Sequence, residues 1–376
     1  PNVFVISGTV WIHEHQEGAV LQGTKMVLPR GLQENLNYAV LGLDLKTGEE
    51  TNRHSTRDIF NVGHHHRCYR NKATERLLMM SRRGVEYLDV ATGEIDVNHW
   101  VRGDCHLGVM PANGLLYTTP HPCSCYIETK LNGFFALAPA ATEDPEESTL
   151  PDYVQGLAFA TELPKAEPSN EDWSSFRGNS QRSGSSPTVI SPEPALLWKT
   201  DIGTSSGPLT ISDGKVFAPV LRQNRLVVLD AESGAFDWDF YTEAPIDSPP
   251  TIYRGMALFG SADGWAYCLR TSDGELIWKR RLAPRNRWIS NDCCIESAWP
   301  VHGSILIQNG TAYATAGRSS FLDGGIHLYA LQPETGKLLA HRVEYTPDSV
   351  SGGMTPDPSY AMTMPGMLSD ILVGDD

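Results

Sequence analysis

One pattern limits what this chain can fold into: a short apolar run, a polar turn closed by glycine, and a second run. It occurs as AVLGLDLKTGEE (39–50), GVEYLDVATGE (84–94), RLVVLDAESGAFDW (225–238), AYCLRTSDGELIW (266–278) and HLYALQPETGKLL (327–339). Each reads as strand, tight turn, strand, because glycine supplies the positive φ that such a turn demands. No helical 3.6-residue periodicity competes with it.

The turn glycines Gly48, Gly93, Gly234, Gly274 and Gly336 are 45, 141, 40 and 62 residues apart. Upstream, TISDGKVFAPV (210–220), TIYRGMALFGSADGWAYCL (251–269) and LIQNGTAYATAGRSSFLDGGIHLYAL (306–331) repeat a strand, turn, strand, turn, strand order. A period near 40 to 45 residues with four strands in each unit is that of β-propeller blades. The expected fold is therefore all-β, a propeller of four-stranded antiparallel blades. Six units are visible: three in residues 1–140, the third a degenerate one containing ANGLLY, and three in 191–345. Residues 141–190, rich in Pro, Glu and Ser, read as an excursion or linker, and 346–376 as a tail or the start of a further blade. The chain opens on strand-like PNVFVISGTVW with no Met, so the ends read as trimmed and an intact propeller of six to eight blades is expected.

Charge excludes one class of partner. With 30 basic and 45 acidic residues, a net of -15, the chain has no basic footprint for nucleic acid. No apolar run nears the roughly 18 residues of a membrane helix, so no membrane span is expected. The seven cysteines form neither a CxxC pair nor a haem-attachment motif, and an odd count excludes complete internal pairing. Walker, GxSxG, HExxH and Rossmann fingerprints are missing as well.

VVLDAESGAFDW and CLRTSDGELIW resemble the tryptophan-docking repeats of pyrroloquinoline-quinone-type (quinoprotein-like) propellers, in which a Trp after the glycine turn plugs between neighbouring blades; Trp238 and Trp278 hold that place. DWSSFRGNSQRSGSSP (172–187) is similar to the opening motif of such domains, and the likeness extends to planctomycete-type repeat proteins. The resemblance implies a propeller in a periplasmic or secreted setting; it does not fix a function, since members range from dehydrogenases to assembly scaffolds. The Ca²⁺ and quinone ligand set of the dehydrogenases is not placed among these residues, so pyrroloquinoline quinone and Ca²⁺ rank behind Zn²⁺ or copper as expected cofactors. Cys293-Cys294 resembles their vicinal pair, but the flanking residues do not match.

The stretch GHHHRCYR (63–70) concentrates chemistry. On a strand, alternation sends His64, His66 and Cys68 one way and His65, Arg67 and Tyr69 the other. The first face, with Cys105, His106, His121, Cys123 and Cys125 of the next unit, offers imidazole and thiolate ligands for Zn²⁺ or copper; disulfides between units are the competing reading. The second, joined by Arg102 and His121, offers what β-elimination from a uronate needs: Arg to neutralise the carboxylate, His as base and Tyr as acid. Inter-blade hydrogen bonding is the plain alternative for both faces. Three function classes follow: a scaffold that binds a polar ligand, polysaccharide or another exported protein at its channel mouth; a lyase on acidic polysaccharide; and a quinone- or metal-dependent oxidoreductase.

Overall fold

The computed structural model describes residues 2–6, 9–14, 39–56, 71–81, 84–98, 100–120, 131–139, 151–163, 168–169, 171–203, 205–320, 322–346 and 369–375. They are strand, turn and short 3₁₀ segments, and every strand pair is antiparallel. The chain divides into two compact units, residues 1–142 with 347–365 and residues 143–346 with 366–376.

In the first unit, β1 (Asn2–Ile6), β2 (Thr9–Glu14), β3 (Ala39–Asp44) and β4 (Glu50–Ser55) make one meander of four strands. A second consists of β5 (Lys72–Ala73), β6 (Leu77–Ser81), β7 (Val85–Asp89) and β8 (Ile95–Asn98). A third, three-stranded, consists of β9 (Met110–Ala112), β10 (Leu115–Thr118) and β11 (Phe135–Leu137). Val40 of the first sheet packs with Leu78, Met80, Leu88 and Val90 of the second, so the two pack through their faces as blades do.

The second unit holds three blades. β12 (Tyr153–Gln155) precedes them; β13 (Thr210–Ser212), β14 (Lys215–Val220), β15 (Arg225–Asp230) and β16 (Phe236–Tyr241) form the first blade. β17 (Thr251–Tyr253), β18 (Met256–Gly260), β19 (Trp265–Arg270) and β20 (Leu276–Arg281) form the second. A hairpin of β21 (Trp288–Asn291) and β22 (Cys294–Ser297) leads to the third, β23 (Leu306–Gln308), β24 (Thr311–Ala316), β25 (Ile326–Leu331) and β26 (Leu338–Glu344). The first strands β13, β17 and β23 are successive neighbours, as the innermost strands of consecutive blades must be.

Period-2 alternation sends the two sides of the middle blade into different cores. Ala257, Phe259, Tyr267 and Leu269 join Phe217, Val228 and Trp238 of the blade before. Met256, Leu258, Cys268 and Trp278 join Ala312, Ala314, Tyr329 and Leu331 of the blade after. Central strands buried on both faces read as unbroken apolar runs, which is why the continuous stretches LVVL and AYCL rather than alternation mark β15 and β19 in the sequence.

Tryptophan docking is explicit. Trp238 Nε1 donates to the Thr271 carbonyl at 3.1 Å and Trp278 Nε1 to the Pro333 carbonyl at 2.8 Å, each bridging to the next blade. The acceptor stands three residues before the turn glycine, and a Cβ on Gly274 or Gly336 would fall 2.5 or 2.6 Å from the indole. Glycine is thus required twice, for its φ of +76° at Gly274 and for the room it leaves. Two further side chains play the same part. Trp198 Nε1 donates to Ala231 at 3.0 Å above Gly234, and in the first unit His54 Nε2 lies 3.0 Å from the Val90 carbonyl above Gly93.

Part of the stretch expected as an excursion over 141–190 is built into the second unit. β12 adds a fifth strand to the outer edge of β20, with Tyr153 opposite Arg280. The Arg280 guanidinium lies 4.8 Å from the Tyr153 ring centroid, and Tyr153 Oη donates to Thr335 of the next blade at 2.7 Å. Farther on, Trp173 bridges to Ile211 of β13, and Ile252 N donates to the Ser174 carbonyl at 2.7 Å. The buried Arg182 donates to the carbonyls of Phe176, Asn179, Ser304 and Leu372, tying 172–182 to the segment 369–375. Gln308 of β23 also bonds to the Asp375 carbonyl. The innermost strands are therefore lined by the chain's own segments.

Candidate functional site

Residues 64–69, with His64, His65, His66, Arg67, Cys68 and Tyr69, lie outside the described residues, as do His121, Cys123 and Cys125. Of the sequence candidates, Arg102 and Cys105 are described, and they are neighbours: Arg102 Nη1 stands 3.9 Å from Cys105 Sγ. Arg102 is only 2% exposed, so its charge is directed into the protein. The loop turns tightly there, with Asp104 bridged to Gly108 and a φ of +86° at the exposed His106. Among the described residues no group of three or more His, Cys, Asp or Glu is placed to hold a metal ion.

Seven described acid and base residues gather elsewhere. In a four-stranded meander the turn between the second and third strands, and the crossover from the fourth strand to the next blade, fall at the same end. Asp263, Arg318 and Asp323 sit in such turns of the second unit, and Asp247, Arg287, Glu296 and His302 in its crossovers. All seven therefore share one edge.

Nearly every charge on that edge has a specific partner. Arg318 Nη2 bonds to Glu296, and both side chains are mostly buried. Arg287 Nη1 pairs with Asp323 at 3.0 Å, while Trp299 Nε1 donates to the Asp323 carbonyl at 2.8 Å. The sequence places Arg318 and Asp323 in one turn, but Arg318 reaches across to the hairpin instead. Arg318 Nε is buried without a hydrogen-bond partner. Burial draws the Arg318 pKa down to about 10 against the pull of Asp323, and raises Asp323 to about 6 despite Arg287 and Arg318.

Two further units complete the edge. Asp247 bonds His302 Nδ1 and accepts from Ser248 Oγ at 2.9 Å. Burial works against charge on both, yet their mutual attraction wins: His302 rises above its ordinary value and Asp247 falls below. Asp263 accepts from Tyr267 Oη at 2.7 Å, Trp265 N at 3.0 Å and Glu243 N at 3.2 Å, so it caps backbone amides as its turn position suggests. Burial still pushes its pKa up to about 6.

Above this lies the β21–β22 hairpin. Its turn places Asp292 and Cys293 at φ of +45° and +63°, the left-handed pair of a two-residue hairpin loop. Cys293 and Cys294 are free thiols, exposed and half-buried. Alternation gives the hairpin two faces. Ile289 packs against the core and Glu296 is buried, while Trp288 and Ile295, 37% and 67% exposed, lie on the other face. In the sequence the turn GRSSFLDGGIH reads as a loop braced by its own Arg318 and Asp323; the pairings of this edge were not readable there, because each joins residues 22 to 55 positions apart.

Residues 188–355 match a family model described as outer membrane protein assembly factor BamB. That span takes in the three blades of the second unit, which are thus a run of pyrroloquinoline-quinone-like repeats. A BamB of Legionella pneumophila (strain Paris) is 27% identical across 48% of this chain and 53% of its own length. The dehydrogenase subunit of a quinone-type alcohol dehydrogenase from Gluconobacter oxydans (strain 621H) is 24% identical across 38% of this chain and 20% of its own. The chain thus spans about half the length of the first curated relative and a fifth of the second. Among solved structures, BamB from Moraxella catarrhalis aligns with a TM-score of 0.28 and 16% identity over 74% of this chain and 77% of its own. Quinohemoprotein alcohol dehydrogenase ADHIIG from Pseudomonas putida HK5 aligns with a TM-score of 0.36 and 16% identity over 46% of this chain and 27% of its own.

Proposed function

We propose that the chain is a BamB-like repeat propeller acting as a binding scaffold in the exported space, and that it holds a protein partner at the crossover edge of its second unit. The observation that carries the reading is the β21–β22 hairpin, an insertion between two blades that presents Trp288 and Ile295 outward. Exposed aromatic and branched side chains on a braced element are what protein interfaces use as anchors. The charges beneath are consumed in pairs, Glu296 with Arg318, Asp323 with Arg287 and Asp247 with His302, which suits a rigid platform better than a reaction centre. Lining of the innermost strands by residues 172–182 and 369–375 favours the edge over the axis as the place of contact. The relatives named for assembly of outer membrane proteins point to the same class. No helix among the described residues is long and apolar enough to cross a membrane.

A photo-crosslinking residue placed at Trp288 or Ile295 in the native cell tests this. One defined protein adduct is expected there, with none from Asn309, in a turn at the opposite end of the third blade. Equal labelling from both ends, or none from the hairpin, defeats the proposal.

A further inference from the structure

The outer strand of the third blade of the second unit departs from the other two. β16 and β20 carry Trp238 and Trp278 at the docking position, whereas β26 carries Ala340 there and is exposed along nearly its whole length. What it presents instead is His341, directly opposite Tyr329 of β25. His327 lies two residues before Tyr329, so alternation puts all three side chains on one face. Nδ1 of His327 and Nε2 of His341 stand 3.1 Å apart, with ring centroids 5.2 Å apart and planes 11° from parallel. Tyr329 stacks on His341 at 4.4 Å and 13°, which holds the imidazole in place. His327 is buried and His341 exposed, so the pair opens to solvent on one side only.

We propose that His327 and His341 form a cross-strand site for a borderline divalent cation, Zn²⁺ or Cu²⁺. Two imidazole nitrogens on one tetrahedral ion, each about 2.0–2.1 Å from it, stand about 3.3 Å apart, close to the spacing already present. Rotation of the exposed His341 within its stack on Tyr329 turns its lone pair toward an ion held at His327 Nδ1. Ligand imidazoles must be neutral. The hydrogen shared by the two nitrogens moves to the far nitrogen of its own ring as the ion takes its place. Charges on the neighbouring strands are already matched: Arg342 pairs with Glu344 on the other face of β26, and Arg281 pairs with Asp152 near Tyr329. Nitrogen donors with no carboxylate select Zn²⁺ or Cu²⁺ over Mg²⁺ or Ca²⁺. No third side-chain ligand stands with the pair among the described residues, so water completes the shell and the site is an open one.

The test must separate this pair from the histidine run at 64–66, which can bind metal by itself. Crystals of the full chain soaked in zinc chloride should give an anomalous peak between His327 Nδ1 and His341 Nε2, absent from the His341→Gln variant. In solution, the same variant should lose one class of Zn²⁺ sites or weaken it at least about tenfold. Because His341 is exposed, the variant keeps its blade, which an unchanged circular dichroism spectrum verifies. A peak that survives His341→Gln, a wild-type map with zinc only elsewhere, or superimposable isotherms would each overturn the site.

Discussion

Two glycines separate conformational strain from steric fit. Gly274 and Gly214 have nearly the same φ, +76° and +70°, but a Cβ at Gly274 would meet the Trp238 ring at 2.5 Å, whereas nothing lies within 4 Å of Gly214. Gly214→Ala should cost about 1–2 kcal/mol, the left-handed penalty alone. Gly274→Ala should cost about 1–3 kcal/mol more, because the indole must move. Urea midpoints at constant m read the difference. Trp278, fully buried, should lose about 3–5 kcal/mol on truncation to Ala. Glu296→Gln is expected to cost about 3 kcal/mol or more, since it leaves the Arg318 charge without its carboxylate; Glu296→Gln with Arg318→Met should recover most of that. If the double variant is no better than the single, the pair is not a coupled unit. Of these residues, Trp238 and Trp278 were legible from their place after the turn glycine. His54 was not, because a histidine carries no docking signature; only Gly93 below it shows that something must fill that seat.

At the level of elements, the least expected piece is β12. Its residues stand in a Pro- and Glu-rich stretch with no hairpin partner next to it in sequence, and its pairing partner β20 lies well over a hundred residues on. A strand that pairs so far away leaves no local pattern to read. Val154 is the middle residue of β12, opposite Lys279. Val154→Pro removes an amide donor there and should release the strand without unfolding the blade. The expected result is faster hydrogen exchange at 276–281 with the exchange of β18 and β19 unchanged; global loss of protection would mean that β12 is integral to the fold. The blades themselves were legible, because hairpin turns act between neighbours in sequence. The β21–β22 hairpin was missed, since RWISNDCCIES contains no glycine and uses Asp292 and Cys293 for the left-handed turn.

For the molecule as a whole, the buried titratable groups set how stability depends on pH. Asp263 and Asp323 have folded pKa values near 6, above the unfolded value, so the folded state binds more protons and stability falls as pH rises from about 4 to 6. His302 is raised above its unfolded value; its contribution is fully present below about 6.5 and is lost as pH rises through the folded pKa. The lowered carboxylates, among them Asp247, Asp89 and Asp230, act in the opposite sense, but only as pH falls below about 4. The melting temperature should therefore be higher near pH 5 than at pH 7.5, and Asp263→Asn should flatten the slope between pH 4 and 6. A melting temperature that climbs steadily from pH 5 to 7.5 would contradict this balance. By itself, the sequence determined the all-β class, the repeat and the docking tryptophans, because glycine turns and strand alternation are local and depend on residues a few positions apart. Only the tertiary structure decided which charges meet at the crossover edge, which face of the hairpin looks outward, that His54 takes a tryptophan's seat and that two histidines converge across β25 and β26. Those depend on register and blade packing, which bring together residues that no short-range pattern connects.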